Sequence, residues 1–130
     1  QVIQNNCARL ITGTSRMMHV QPILKELHCL PVNQRINYKC ASIIHKAVHN
    51  HNAPSYLKAV ITRHAPPRSL RSSDMDLLVV PRTRKKIGDC GFYLHGPKLW
   101  NTLPMFLRKI NNFACFKKHL KTHLFNIAFN

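Results

Sequence analysis

The chain has 130 residues and carries 20 lysines and arginines against 4 acids, a formal charge of +16. So large an excess attracts polyanions and repels itself in a compact state, whereas a hydrophobic content of 45% is too high for a disordered basic tail. The length suits a single domain with one core, and no apolar run approaches the length of a membrane span.

The opening residues, Gln1 to Asn6, show neither an initiator Met nor a signal-peptide pattern, so the chain reads as an internal or C-terminal piece of something longer. Val2, Ile3, Cys7, Leu10 and Ile11 repeat at helical spacing, and Gly13 is a natural stop. A short helix is expected from Gln21 to Leu27, with Pro22 in its first turn. Pro31 opens the strongest helix, running to about Asn50. Val32, Ile36, Cys40, Ile43, Ala47 and Val48 form its apolar stripe. Arg35, Lys39, Lys46 and His49 fall on a neighbouring flank. That flank either solvates the helix or tracks phosphates, and a charge excess spread along the whole chain does not decide between them.

A shorter helix is expected from Pro54 to Ile61, then a loop from Arg63 to Asp76 marked by Pro66 and Pro67. Leu77 to Val80 is a short strand candidate, which Pro81 ends or confines to an edge. Arg82 to Ile87 is the candidate returning strand, although four cations there resist burial. Phe92 to Leu103 reads as a strand or loop entering a short helix near Pro97. Leu103-Pro104 breaks into another helical turn. The last helix is expected from about Asn112 to Ile127. Phe113, Phe116, Leu120, Leu124 and Ile127 form its packing stripe, with Lys117, Lys118 and Lys121 beside them. The fold class is therefore mostly α: one compact helical domain, residues 1–130, with a small β-hairpin in its second half.

The five cysteines, Cys7, Cys29, Cys40, Cys90 and Cys115, are scattered, with no Cys-x-x-Cys pair. Reduced intracellular thiols are the simplest reading. His45 and His49 stand four apart, as do His119 and His123, but neither pair has the glutamate of a zinc-hydrolase motif. Cys115 and His123 are about 12 Å apart along a helix, too far to share one small ion. No metal or cofactor is expected. Asp74 and Asp76 are the one close carboxylate pair. They read as loop acids pairing with Arg68 or Arg71 rather than as ligands for a catalytic metal. No Gly-rich phosphate loop or nucleophile–base pair is present, so no catalytic residue is assigned.

Arg68, Arg71, Arg82, Arg84, Lys85 and Lys86 concentrate six cations beside turn-forming residues. Such a segment can follow a nucleic-acid backbone, releasing counterions without reading sequence. The alternatives are a solubilising surface or a basic localisation signal. Trp100, with Phe92, Tyr93, Leu99 and Leu103, reads as a core anchor rather than a base-stacking platform.

The run from Arg68 to Pro104, R-S-L-R-S-S-D-M-D-L-L-V-V-P-R-T-R-K-K-I-G-D-C-G-F-Y-L-H-G-P-K-L-W-N-T-L-P, resembles the tail that follows the reverse transcriptase in non-LTR (LINE-type) retrotransposons of the jockey and chicken-repeat groups. Arg9 to Thr14, His19 to Leu24, Leu27 to Val32, Ala53 to Leu57 and Phe116 to Phe125 are similar to the other blocks of that tail, in the same order. Cys29 stands where relatives usually carry Trp, and His95 where they carry a smaller residue or Arg. The resemblance implies a parent protein that joins an endonuclease to an RNA-directed DNA polymerase. This segment would follow the palm, with residues 1–13 as a candidate helix connecting to the thumb. It implies a non-catalytic role: holding RNA template, primer duplex or target DNA against the upstream reverse transcriptase domain, in the cytoplasm or nucleus and away from membranes. The rival reading is a decayed or host-captured fragment that acts as a protein-interaction module.

Overall fold

The computed structural model describes residues 1–49, 53–65, 75–82, 88 and 91–130. Its helices are α1 (Val2–Thr12), α2 (Val20–Glu26), α3 (Val32–His49), α4 (Ser55–Val60), α5 (Phe92–Thr102), α6 (Met105–Arg108) and α7 (Phe113–Phe129). The chain divides into two compact units, one of Gln1–Tyr38 with Leu120–Asn130 and one of Lys39–His119.

In the first unit, α1 ends where Gly13 turns left-handed at φ 64° and returns its N–H to the Arg9 carbonyl. A residue without a Cβ takes that conformation at little cost. The small Ala8 is the buried residue of α1. It packs with Ile23 and Leu24 of α2, and Val20, Leu27 and Phe129 close the cluster. The apolar stripe read from the sequence faces the other way: Val2, Ile3, Leu10 and Ile11 are 71–85% exposed. Two glutamines fix the helix start. Gln1 Oε1 accepts from Val32 N–H at 2.8 Å, and Gln4 Nε2 donates to the Leu30 carbonyl at 2.8 Å.

In the second unit, Ile44, Trp100, Leu107 and Phe116 are fully buried. The His45 ring stacks on Phe116 at 4.1 Å between centroids. The buried face of α3 consists of Ala41, Ser42, Ile44, His45 and Ala47. The expected stripe is therefore rotated, and Ile36 is half exposed. The reason is that two polar residues, Ser42 and His45, lie on the buried face, where an apolar count skips them; His45 is bonded there, so it enters the core at little cost.

Among the described residues the expected β-hairpin is absent: they form no strand, only one isolated antiparallel bridge between Arg63 and Leu78. On one side of the extended segment, His64 N–H reaches the Leu77 carbonyl and Val79 N–H reaches the Thr62 carbonyl. On the other side, where a second strand would pair, the Asn101 side chain takes both backbone groups of Leu78. Two more carbonyls of the same segment are taken by side chains: Trp100 Nε1 donates to Asp76 and Arg108 Nη1 to Met75. An extended segment whose polar groups are already satisfied has no need of a strand partner. The proposed return strand, residues 82–87, lies outside the described residues except for Arg82.

Phe92–Thr102 is also helical throughout, with Pro97 inside it, rather than a strand or loop leading to a short helix. Pro97 removes a helical hydrogen bond. Burial of Leu94, Gly96, Pro97 and Trp100 on one side of α5 offsets that loss.

Candidate nucleic-acid interface

Of the cationic cluster expected to grip phosphates, Arg82 is described, and it is exposed. Arg68, Arg71, Arg84, Lys85 and Lys86 lie outside the described residues, as does Asp74. Asp76 pairs with Arg63, at 3.5 Å, whereas the expected partners Arg68 and Arg71 lie outside the described residues. Arg63 also donates to the Val48 carbonyl near the end of α3, at 2.9 Å. This ion pair is largely open to water, so it contributes little stability. Its geometry marks Asp76 as a loop pin. Asp76 is left-handed at φ 47°, and its carbonyl receives the Trp100 indole.

Glu26 and Asp76 are the acidic side chains among the described residues. Most of the positive charge is therefore not neutralised by described side chains. Arg35, Lys39 and Lys46 are exposed along one flank of α3. The ammonium of Lys46 lies 4.7 Å from the centre of the Phe113 ring, and that of Lys117 lies 4.8 Å from the same centre. Phe113 opens α7, whose N-terminal amides at Ala114 and Cys115 donate to the Asn112 side chain. Both ammonium groups thus lie against the Phe113 ring, the first residue of α7. The Phe113–Lys117 half was legible as a neighbouring pair on one helix; the approach of Lys46 from α3 was not.

The histidines that raised a metal question have a different task. A carbonyl oxygen only accepts, so Nε2 of His45 carries a proton donated to Ile110 at 2.6 Å, and Nε2 of His49 donates to Arg108 at 3.2 Å. They therefore tie α3 to the last residue of α6 and to the turn after it. Burial lowers both from their usual value, so both rings favour the neutral form. Among the described residues no three His, Cys, Asp or Glu side chains converge as metal ligands.

Cys29 is exposed, so the cysteine leaves no buried cavity there. Trp100 is fully buried and unavailable for base stacking. Among the described residues no helix is long and apolar enough to cross a membrane. No family model, curated protein or solved structure matches the chain.

Proposed function

We propose that this chain is a non-catalytic nucleic-acid-binding segment. It would act as the part of a LINE-type RNA-directed DNA polymerase that follows the reverse transcriptase, holding template RNA, primer duplex or target DNA near the catalytic core. The observation that carries the reading is the unneutralised charge: a chain of +16 whose described residues include two acids, one already paired with Arg63. The convergence of Lys46 and Lys117 on Phe113 gives part of that charge a fixed position. The residue-by-residue resemblance of Arg68 to Pro104 to the retrotransposon tail supplies the context.

Binding of this kind releases counterions, so affinity falls steeply and linearly in the logarithm of salt. The test is titration of the purified chain against single-stranded RNA and duplex DNA at several salt concentrations. Weak sequence preference with a steep salt slope is the expected result. Absence of binding at low salt, together with a protein partner that survives nuclease treatment, would favour the interaction-module reading.

A further inference from the structure

The C-terminal end of α1 forms a cleft of about 430 Å³ lined by Asn6, Arg9, Leu10, Gly13, Thr14 and Arg16. We infer that this cleft is a nucleotide-unit site: Arg9 and Arg16 grip one phosphodiester of a nucleic-acid strand, and Leu10 lies against its sugar or base. The inference rests on the nucleic-acid reading and gives it a location in the first unit.

The lining has the right chemistry. Two arginines line the cleft with no carboxylate among its walls, and the first unit holds one acid, Glu26, exposed at the end of α2. Arg9 is held in place because its Nη2 donates to the Met18 carbonyl at 3.1 Å. Its Nε is buried without a hydrogen-bond partner. A buried donor left unpaired is unfavourable, so the Arg9 side chain retains unused hydrogen-bonding capacity beside the cleft. Guanidinium forks suit phosphate geometry better than a single ammonium does. The size falls within the range of roughly 300–1,000 Å³ typical of small-ligand sites.

Two further features fit a nucleotide rather than a bare anion. Leu10 is 85% exposed, an apolar wall of the kind a sugar or base can cover. Gly13 leaves the floor open, since a Cβ built there meets nothing within 4 Å. The negative end of the α1 dipole opposes an anion at this point. That opposition is reduced here, because the Arg9 carbonyl already accepts from Gly13 and Thr14 N–H, and the Ala8 carbonyl accepts from the Thr12 hydroxyl.

The experiment uses the full chain and a fluorescein-labelled single-stranded octanucleotide at low salt. Arg16→Ala is the principal variant, because Arg16 is exposed and its loss leaves the Arg9–Met18 bond intact. Lys109→Ala, exposed in the second unit, removes the same charge elsewhere. Arg16→Ala is expected to weaken binding about tenfold, the loss of one charge-assisted contact, and Lys109→Ala by much less. Amide resonances of Gly13 and Thr14 should shift on titration with thymidine 5′-monophosphate in the parent and not in Arg16→Ala. If the parent binds the octanucleotide while both variants weaken it equally and those amides stay still, the cleft inference is overturned and the nucleic-acid reading stands. If the parent binds no octanucleotide, both fall. Displacement of the octanucleotide by polyglutamate of equal charge at equal concentration would overturn the cleft inference in favour of an acidic peptide.

Discussion

Asn101 holds Leu78 by both of its backbone groups: the amide nitrogen donates to the Leu78 carbonyl and the amide oxygen accepts from the Leu78 N–H, each at 2.9 Å. One side chain thus takes the place of a neighbouring strand. Leu78 is almost fully buried, so these groups have little water to fall back on. Asn101→Ala is expected to destabilise the chain by about 2–4 kcal/mol, the cost of two buried backbone groups left unpaired. Asn101→Asp should lie between variant and parent, since a carboxylate accepts from the N–H but cannot donate to the carbonyl. Urea unfolding midpoints check both. Parent-like stability of Asn101→Ala would show that the 77–79 segment is held by other means.

The same residue explains why the hairpin was not legible. Leu77 to Val80 has strand composition, and its backbone is extended and bonded on one side. What no periodicity shows is that the other side is filled by a side chain from 23 positions further along. Helix ends were easier, because their signals are local. Gly13 stops α1, Pro54 and Pro104 precede α4 and α6, and Asn112 caps α7. Helix faces failed where burial departed from apolarity. His45 is buried by virtue of its bond to Ile110, and α1 turns Leu10 outward because the small Ala8 makes its contact. Of the candidate interface, Lys117 beside Phe113 was readable from spacing. The meeting with Lys46, and the cleft at Arg9 and Arg16, depend on tertiary geometry.

His45 and His49 make stability depend on pH. For His45, burial lowers the pKa from the usual 6.5, the bond to Ile110 partly restores it, and the charge of His49 lowers it again. For His49, burial lowers it first; the Arg108 carbonyl raises it, Arg63 lowers it and Asp76 raises it. The unfolded chain therefore binds more protons than the folded one as pH falls from about 6.5 toward the lowered values. Their contribution is complete above 6.5 and is lost as pH drops through the folded-state values. Unfolding midpoints measured from pH 8 to pH 5 should fall on the acid side, and His45→Gln with His49→Gln should flatten the profile. A double variant with the parent's slope would place the pH dependence elsewhere.

Gly13 and Gly96 should both resist alanine, for different reasons. At Gly13 there is open space but a left-handed backbone, so Gly13→Ala is expected to cost about 1–2 kcal/mol through conformation alone. Gly13→Asn should cost less, since asparagine tolerates that region. At Gly96 the backbone is ordinary, but the added methyl would meet Ile44 Cδ1 at 3.2 Å. The cost there depends on the Ile44 rotamer, and trimming the neighbour with Ile44→Val should relieve it. Thermal unfolding of the four variants distinguishes strain from crowding; relief of Gly13→Ala by Ile44→Val would contradict this assignment.

The final prediction sets two basic faces against each other. One is the segment carrying Arg82, Arg84, Lys85 and Lys86, whose local density of cations makes it the main candidate from sequence. The other is the pair Lys46 and Lys117, fixed at the Phe113 ring. Each phosphate contact removed lowers the salt slope by about one and weakens binding without changing sequence preference. Reversing all four charges of the first face should therefore reduce the slope by up to about four if every one meets a phosphate. Lys46→Glu with Lys117→Glu should reduce it by about two, and Phe113→Leu, which keeps the charges but removes the ring that holds them, should weaken binding with a smaller change of slope. Titrations against RNA and duplex DNA at four or more salt concentrations give both quantities. A large loss from the paired-lysine variant with none from the four-charge variant would move the contact face to α3 and α7. Equal, small losses from both would mean that the charge acts as a diffuse field rather than through either face.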